Sequence, residues 1–305
     1  RPQAGADLVK EAFMATGELD VTVQVAGSGA RPATRLWRTL TPWAISLALL
    51  GDVVATRDAR SLGDAFARAD YARYLALLVA FLASTALLDG HFLWLGLRWM
   101  AGVGRFSELL RARIAASLLV VINFVVGLGG LAVYTRRRYG LPYRRGAGVM
   151  LNELFEDVGA MGTVTLLAGV AGSFGVLPAA AAPQARLAGI VGGVSVGFYA
   201  LALLATRLWR RRPPERRWDS VLTPLVDLPL RRHLALCGLK MVKSVAFGLF
   251  VTLGLRCFGV HPPLLVSIAF TQMALFVRGL PVAAFGVGAD QLAFCVLFAP
   301  WDAPG

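Results

Sequence analysis

Three carboxylates, Glu153, Glu156 and Asp157, lie three and four residues apart in a stretch that is otherwise apolar. On a helix these spacings place all three side chains on one face. Ionisable groups in apolar segments are costly to bury, and in membrane proteins they mark polar pathways. Alternatively, the apolar part begins only at about Val158, which would leave the carboxylates at the cytoplasmic interface.

Lys240 and Lys243 are the basic counterparts of this acidic face. They lie one helical turn apart in another apolar stretch, with Ser244 beside them. This spacing suits either pairing with the acidic face or presenting positive charge to a lipid phosphate. Alternatively, the lysines extend to the cytoplasmic surface, since Arg231 and Arg232 mark that end of the stretch.

A second polar set lies near the C-terminus. Pro281, Gly286 and Gly288 interrupt an apolar stretch that follows Arg278 and contains Asp290. Proline and glycine break helices, and irregular backbone at membrane depth is tolerated where it lines a polar cavity. We therefore expect Arg278 to contact an anion at this break; the alternative is an interfacial anchor.

The remaining polar residues give little chemical signal. Asp52, Asp89 and His91 lie toward segment ends and are predicted to be interface residues. The three cysteines and three histidines are scattered, so neither a disulfide framework nor a zinc site is expected. The sequence has no phosphate-binding loop, zinc-protease motif or nucleophile elbow. We predict no catalytic residue, no metal and no cofactor.

These residues belong to a chain with the composition of a membrane protein. Of its 305 residues, 57% are hydrophobic and 16% charged, with a mean hydropathy of +0.63, whereas soluble domains carry about 25% charged residues. An all-α polytopic membrane protein with about six to eight transmembrane segments is predicted, two of them broken or re-entrant. The predicted segments are 39–56, 74–97, 114–134, 149–172, 187–206, 234–256, 263–279 and 280–300.

The basic residues predict the path of the third segment. A net charge of +13 would suggest nucleic-acid binding in a soluble protein, but in a membrane protein arginine collects in cytoplasmic loops, so no nucleic-acid partner is expected. Arginine clusters flank segment 114–134 on both sides. Asn123 and the run Gly127-Leu-Gly129-Gly130 predict a break there, so that the segment returns to the cytoplasmic side. The alternative is an ordinary spanning helix that packs through its glycines.

Two regions are expected along the chain. Residues 1–34 are predicted to be a soluble remnant or the tail of an upstream region, because they alone have soluble character and begin with Arg1. Residues 35–305 are predicted to form one integral membrane domain. The positive-inside pattern predicts an inner (plasma) membrane location with the arginine-rich loops in the cytoplasm.

A family resemblance rests on several of these features. The sequence resembles the flippase-like membrane region of lysylphosphatidylglycerol synthases, which also occurs without the synthase domain. It departs from the family pattern at Val126, Leu154 and Phe285, where the family has proline, arginine and glycine. The matching residues, within roughly 40–300, are Asn123, Gly127-Leu-Gly129-Gly130, Arg136, Tyr139-Gly-Leu-Pro142, Glu153, Asp157, Leu280-Pro281 and Gly286-Val-Gly288.

The resemblance implies lipid translocation without aminoacyl transfer. The expected partner is a membrane lipid, either an anionic phospholipid or an isoprenoid-linked lipid, whose headgroup passes through a polar cavity between the broken helices. The candidate binding residues are Asn123, Gly129, Glu153, Asp157, Lys240, Lys243, Arg278, Pro281, Gly286, Gly288 and Asp290.

Two other functions are compatible with the sequence. One is a membrane anchor or interaction subunit of a lipid- or glycan-modifying system, with the catalytic domain upstream or in another chain. The other is an integral lipid glycosyltransferase, which would normally carry acidic residues on an external loop; the external loops here are short.

Overall fold

A computed structural model of the chain describes residues 59–122, 124–176, 181–211, 221–279 and 289–298, together with residues 44, 47, 48, 51 and 301. The described residues form ten helices and no strand, and the chain is an all-α polytopic membrane protein. The helices are α1 Ala59–Arg68, α2 Tyr71–Ala101, α3 Phe106–Ile122, α4 Phe124–Tyr139, α5 Tyr143–Ser173, α6 Ala182–Arg210, α7 Thr223–Asp227, α8 Leu230–Cys257, α9 Leu264–Gly279 and α10 Ala289–Phe298.

Four of these helices, α2, α5, α6 and α8, are long and apolar enough to cross a membrane. They have 28 to 31 residues, whereas about 20 residues cross the hydrocarbon core. Many of their large apolar side chains are exposed, among them Val79, Val194 and Leu201. Exposed apolar surfaces of this kind are suited to contact with lipid. Four predicted segments are confirmed as helices, namely 74–97, 149–172, 187–206 and 234–256.

Other predicted regions fall partly or wholly outside the described residues. Of segment 39–56 only residues 44, 47, 48 and 51 are described, and they are helical. The region 1–34 lies outside the description. Of the last two predicted segments, the structure describes α9 to Gly279 and α10 from Ala289. Residues 280–288, where the interruption with Pro281, Gly286 and Gly288 is predicted, lie outside the described residues.

The chain divides into two compact units. Unit 1 comprises described residues within 89–154 and 204–236, and unit 2 comprises those within 44–88, 155–203 and 237–301.

In unit 1, α3 and α4 form an antiparallel hairpin. Glu108 in the first turn of α3 lies beside Arg138 in the last turn of α4, with Arg138 Nη2 2.7 Å from Glu108 Oε1. The hydroxyl of Tyr139 donates to the same carboxylate at 3.1 Å. Because the two ends of the hairpin meet, the chain leaves it on the side where it began. The chain therefore turns back on itself in this segment, as predicted, while its return to the cytoplasmic side of a membrane stays a prediction.

The position of the break differs from the prediction. Helix α3 ends at Ile122 and α4 begins at Phe124, whereas the run 127–130 lies inside α4. The prediction of a break at these glycines was wrong. Their penalty of about 1 kcal/mol each applies to helices in water, whereas a backbone without water must keep its helical hydrogen bonds.

The motif Tyr139-Gly-Leu-Pro142 forms the turn from α4 to α5. Gly140 has φ +68°, and its amide donates to the carbonyl of Arg136 at 2.8 Å. This left-handed conformation is the usual glycine stop of a helix. Pro142 directly precedes α5, and its carbonyl accepts hydrogen bonds from the amides of Arg145 and Gly146. The motif thus ends one helix and starts the next within three residues.

The described part of the connector between α6 and α8 packs on α5 within unit 1. Pro224 and Leu225 of the short helix α7 are buried, and a Cβ at Gly148 would collide with the side chain of Pro224. Nε2 of His233 lies 3.0 Å from the carbonyl of Leu225. The end of the connector is therefore packed against protein and only partly available to the membrane interface.

In unit 2, glycines bring α5 and α6 into close contact. A Cβ at Gly162 would lie 2.7 Å from Ser195 Cβ, and one at Gly192 would lie 2.6 Å from Leu166 Cα. Gly169 and Gly189 face each other in the same way. Small residues allow membrane helices to approach and gain van der Waals contact that lipid cannot supply. The close packing of α5 against α6 holds the polar residues of α5 in unit 2 in position.

Candidate functional site: buried ion clusters in the two units

Unit 1 contains a buried ion cluster of Arg113, Asp89 and Glu153. Arg113 binds Glu153 through both terminal nitrogens, at 3.0 and 2.7 Å, and its Nη2 also lies 3.0 Å from Asp89 Oδ2. The three side chains are only 11%, 9% and 4% exposed. Helices α3, α2 and α5 each supply one member, so the hairpin is fastened to both neighbours by one guanidinium.

Two members of this cluster were not identified from the sequence. Asp89 was predicted to be an interface residue, and that prediction was wrong, because it is buried and paired with Arg113. Arg113 was counted only among the basic residues before the third segment. Arg111, two positions earlier, is exposed, so one of two similar arginines points inward. Charge balance was the available signal, because a buried carboxylate needs a cation.

Asn152, next to Glu153 on α5, is fully buried. Neither its amide nitrogen nor its amide oxygen has a hydrogen-bond partner among the described residues. A buried amide without partners is costly, and such groups need a specific explanation. The Asn152 amide can donate to and accept from a bound polar group. The sequence pattern did not identify this residue.

Unit 2 contains two further polar contacts. Nζ of Lys240 donates to Asp157 Oδ2 at 3.0 Å, and the lysine is 1% exposed. The hydroxyl of Tyr199 donates to Glu156 Oε2 at 2.6 Å. Lys240 therefore pairs with the acidic residues of α5 and does not extend to the surface. Lys243, one turn further along α8, is partly exposed.

The three carboxylates of α5 thus meet three different helices. Glu153 binds α3 through Arg113, Glu156 binds α6 through Tyr199, and Asp157 binds α8 through Lys240. Glu153 and Glu156 are 3% and 0% exposed. Both are enclosed by protein, which argues against carboxylates that simply face the aqueous interface.

Of the remaining predicted site residues, the described Gly129 and Asp290 are not brought into these clusters. Gly129 lies within α4, and a Cβ there would meet nothing within 4 Å. The carboxylate of Asp290 accepts from the amide of Gln291 at 3.0 Å in the first turn of α10. The backbone of Arg278 belongs to α9, while its side chain lies outside the described residues, as do Asn123, Pro281, Gly286 and Gly288.

The exposed arginines are distributed unevenly. Twelve described arginines of unit 1 are exposed, against four in unit 2. Those of unit 1 cluster at helix ends, and Arg136 stacks at 4.2 Å over the ring of Tyr143. Among the described residues, unit 1 therefore carries most of the exposed arginines.

The described residues contain no group of three or more His, Cys, Asp or Glu side chains that could hold a metal ion. Comparisons of the chain with protein-family models, curated proteins and solved structures gave no match.

Proposed function

We propose that this protein moves a phospholipid or an isoprenoid-linked lipid between the leaflets of a bacterial or archaeal inner membrane. The buried cluster of Arg113, Asp89 and Glu153 carries the proposal. It combines both charge signs inside a helical membrane protein, and it fastens a helical hairpin whose two ends meet.

A lipid headgroup needs polar partners while it crosses hydrocarbon, because water is absent there. Intramembrane ionisable groups supply such partners and are retained where a substrate uses them. The amide of Asn152 adds a neutral donor and acceptor beside Glu153. In unit 2, the buried Lys240 and Glu156 and the partly exposed Asp157 offer a second set of polar groups.

The apolar side chains on the outer surfaces of the helices support the same proposal. Exposed leucine and valine residues on α2 and α6 can contact acyl chains, so the tails of a substrate could stay in lipid while the headgroup uses polar residues. The exposed arginines of unit 1 favour a cytoplasmic position for that surface, because anionic lipid attracts them.

Reconstitution into vesicles tests the proposal. The protein is placed in liposomes with fluorescent phospholipids of several headgroups and, separately, an isoprenoid phosphate. Transbilayer movement is followed by chemical quenching of the outer leaflet. We expect acceleration over liposomes with an inert helical membrane protein. No acceleration with any lipid would overturn the proposal and favour a membrane anchor.

Two variants link transport to the buried cluster. Glu153→Gln is expected to slow movement about tenfold or more, the rate equivalent of losing one charge-assisted hydrogen bond. Asn152→Leu is expected to slow it without lowering stability, because it removes a buried amide that has no protein partner. The matched control is Glu108→Gln. It neutralises a carboxylate where the two ends of the hairpin meet, and it should leave transport unchanged.

A further inference from the structure

Helix α9 carries a strip of three fully buried polar side chains, Ser267, Thr271 and Gln272, each 0% exposed. We call these three residues the α9 strip. Ser267 Oγ, Thr271 Oγ1 and Gln272 Oε1 have no hydrogen-bond partner within the described parts of the chain. Three buried polar atoms without partners on neighbouring turns of one helix are a costly arrangement.

The orientation of Gln272 is fixed by a neighbouring helix. Its Nε2 donates to the carbonyl of Ser244 on α8 at 3.0 Å, so Oε1 remains as the acceptor. The two helices approach closely one turn away, because a Cβ at Gly248 would lie 2.6 Å from Ile268 Cα. The free oxygen of Gln272 is therefore held in place.

Two other fully buried hydroxyls of unit 2 are satisfied within their own helices. Thr165 donates to the carbonyl of Met161 and Thr252 to that of Gly248, both at 2.7 Å. The partly buried Ser195 makes the same four-residue contact with Val191 at 2.8 Å. The hydroxyls of the α9 strip make no such contact with any described residue.

We propose that the α9 strip binds ordered water inside unit 2. Hydroxyl groups both donate and accept, and a buried water usually bonds to two to four polar groups. A metal cation fits less well, since the strip offers only neutral side chains and α9 contains no acidic residue to balance the charge. This inference is independent of lipid transport.

Isosteric replacement distinguishes a hydrated strip from a dry one. In a dry strip, Thr271→Val removes an unsatisfied hydroxyl and raises the thermal midpoint. In a hydrated strip it removes a water partner, and we expect the midpoint to fall by about 2–4 °C. Thr252→Val is the matched control, since its hydroxyl is already bonded, and its midpoint is also expected to fall. An unchanged or higher midpoint for Thr271→Val would overturn the proposal.

Two further measurements secure the result. Ser267→Ala, a smaller change, repeats the test if Thr271→Val does not fold. A thermal midpoint that rises with sodium chloride but not with choline chloride would indicate that the strip binds a cation and not water.

Discussion

Arg113 and Arg138 lie on the two helices of one hairpin and make the same contact in different surroundings. Each binds a glutamate through two nitrogens, at 2.7 and 3.0 Å. The side chains of Arg113 and Glu153 are 11% and 4% exposed, whereas those of Arg138 and Glu108 are 52% and 15% exposed. The two distances are therefore matched while solvation differs, although Arg113 uses Nη1 and Nη2 and Arg138 uses Nε and Nη2.

The comparison separates the energy of a contact from the energy of its surroundings. Water competes for the exposed pair and salt screens it, so such pairs contribute little. The buried pair has given up hydration, and removing one partner leaves an uncompensated charge. The same two-nitrogen contact should consequently fasten the hairpin strongly at Arg113 and weakly at Arg138.

Replacing Arg113 tests this difference with the largest expected effect. Arg113→Met leaves Asp89 and Glu153 buried without their shared cation, and we expect a loss of about 3–5 kcal/mol in the free energy of unfolding. Arg111→Met, two residues away at an exposed position, should change stability by no more than about 0.5 kcal/mol. Equal effects of the two variants in denaturant titrations would contradict the comparison.

Glu153→Gln should give an intermediate effect. It removes one of two carboxylates from Arg113, while Asp89 still compensates the guanidinium. We expect a loss of about 1–3 kcal/mol, the range for a buried hydrogen bond to a charged group. If Glu153→Gln lost as much unfolding free energy as Arg113→Met in the same titration, Asp89 would not compensate the charge of the Arg113 guanidinium.

Salt should distinguish the pairs with a smaller effect. Raising sodium chloride is expected to reduce the stability difference between the natural chain and Arg138→Gln, because the exposed pair is screened. The difference between the natural chain and Glu153→Gln should stay nearly constant. Thermal midpoints at low and high salt provide the measurement, and the reverse pattern would refute the assignment of the two environments.

The smallest expected effect is in the acid pH range. The hydrogen bond from Arg138 lowers the pKa of Glu108 from 4.5 to about 2. A lowered folded-state pKa means that the ionised carboxylate stabilises the fold fully above about pH 4.5, and that this contribution disappears as the pH falls to about 2. The stability advantage of the natural chain over Glu108→Gln should narrow across that window; a constant difference would argue against the pair.

Several features of the fold could be predicted from the sequence. Continuous apolar runs identified α2, α5, α6 and α8, because a bilayer demands helices of this length. The arginine clusters on both sides of segment 114–134 predicted the return of the chain. The spacing of Glu153 and Asp157, and the presence of Lys240 in another apolar run, suggested the contact between α5 and α8 that is seen in unit 2.

Other features depend on tertiary contacts that no local pattern contains. Arg111 and Arg113 are alike in a helix with little amphipathic character, so the sequence does not say which one points inward. Asp89 looked like an interface residue because its partner comes from α3. The glycines in α4 suggested a break because their penalty was taken from helices in water.

The hairpin of α3 and α4 also changes how membrane crossings are counted. An apolar run that returns to its starting side adds no net membrane crossing. The residues after Tyr139 are therefore assigned to the opposite compartment when each apolar run is counted as one crossing. Reporter tags inserted near Gly102 and near Gly140, two exposed glycines that flank the hairpin, would then label the same compartment. Any experimental topology map of this chain must therefore count the hairpin as an even number of membrane crossings, never as one.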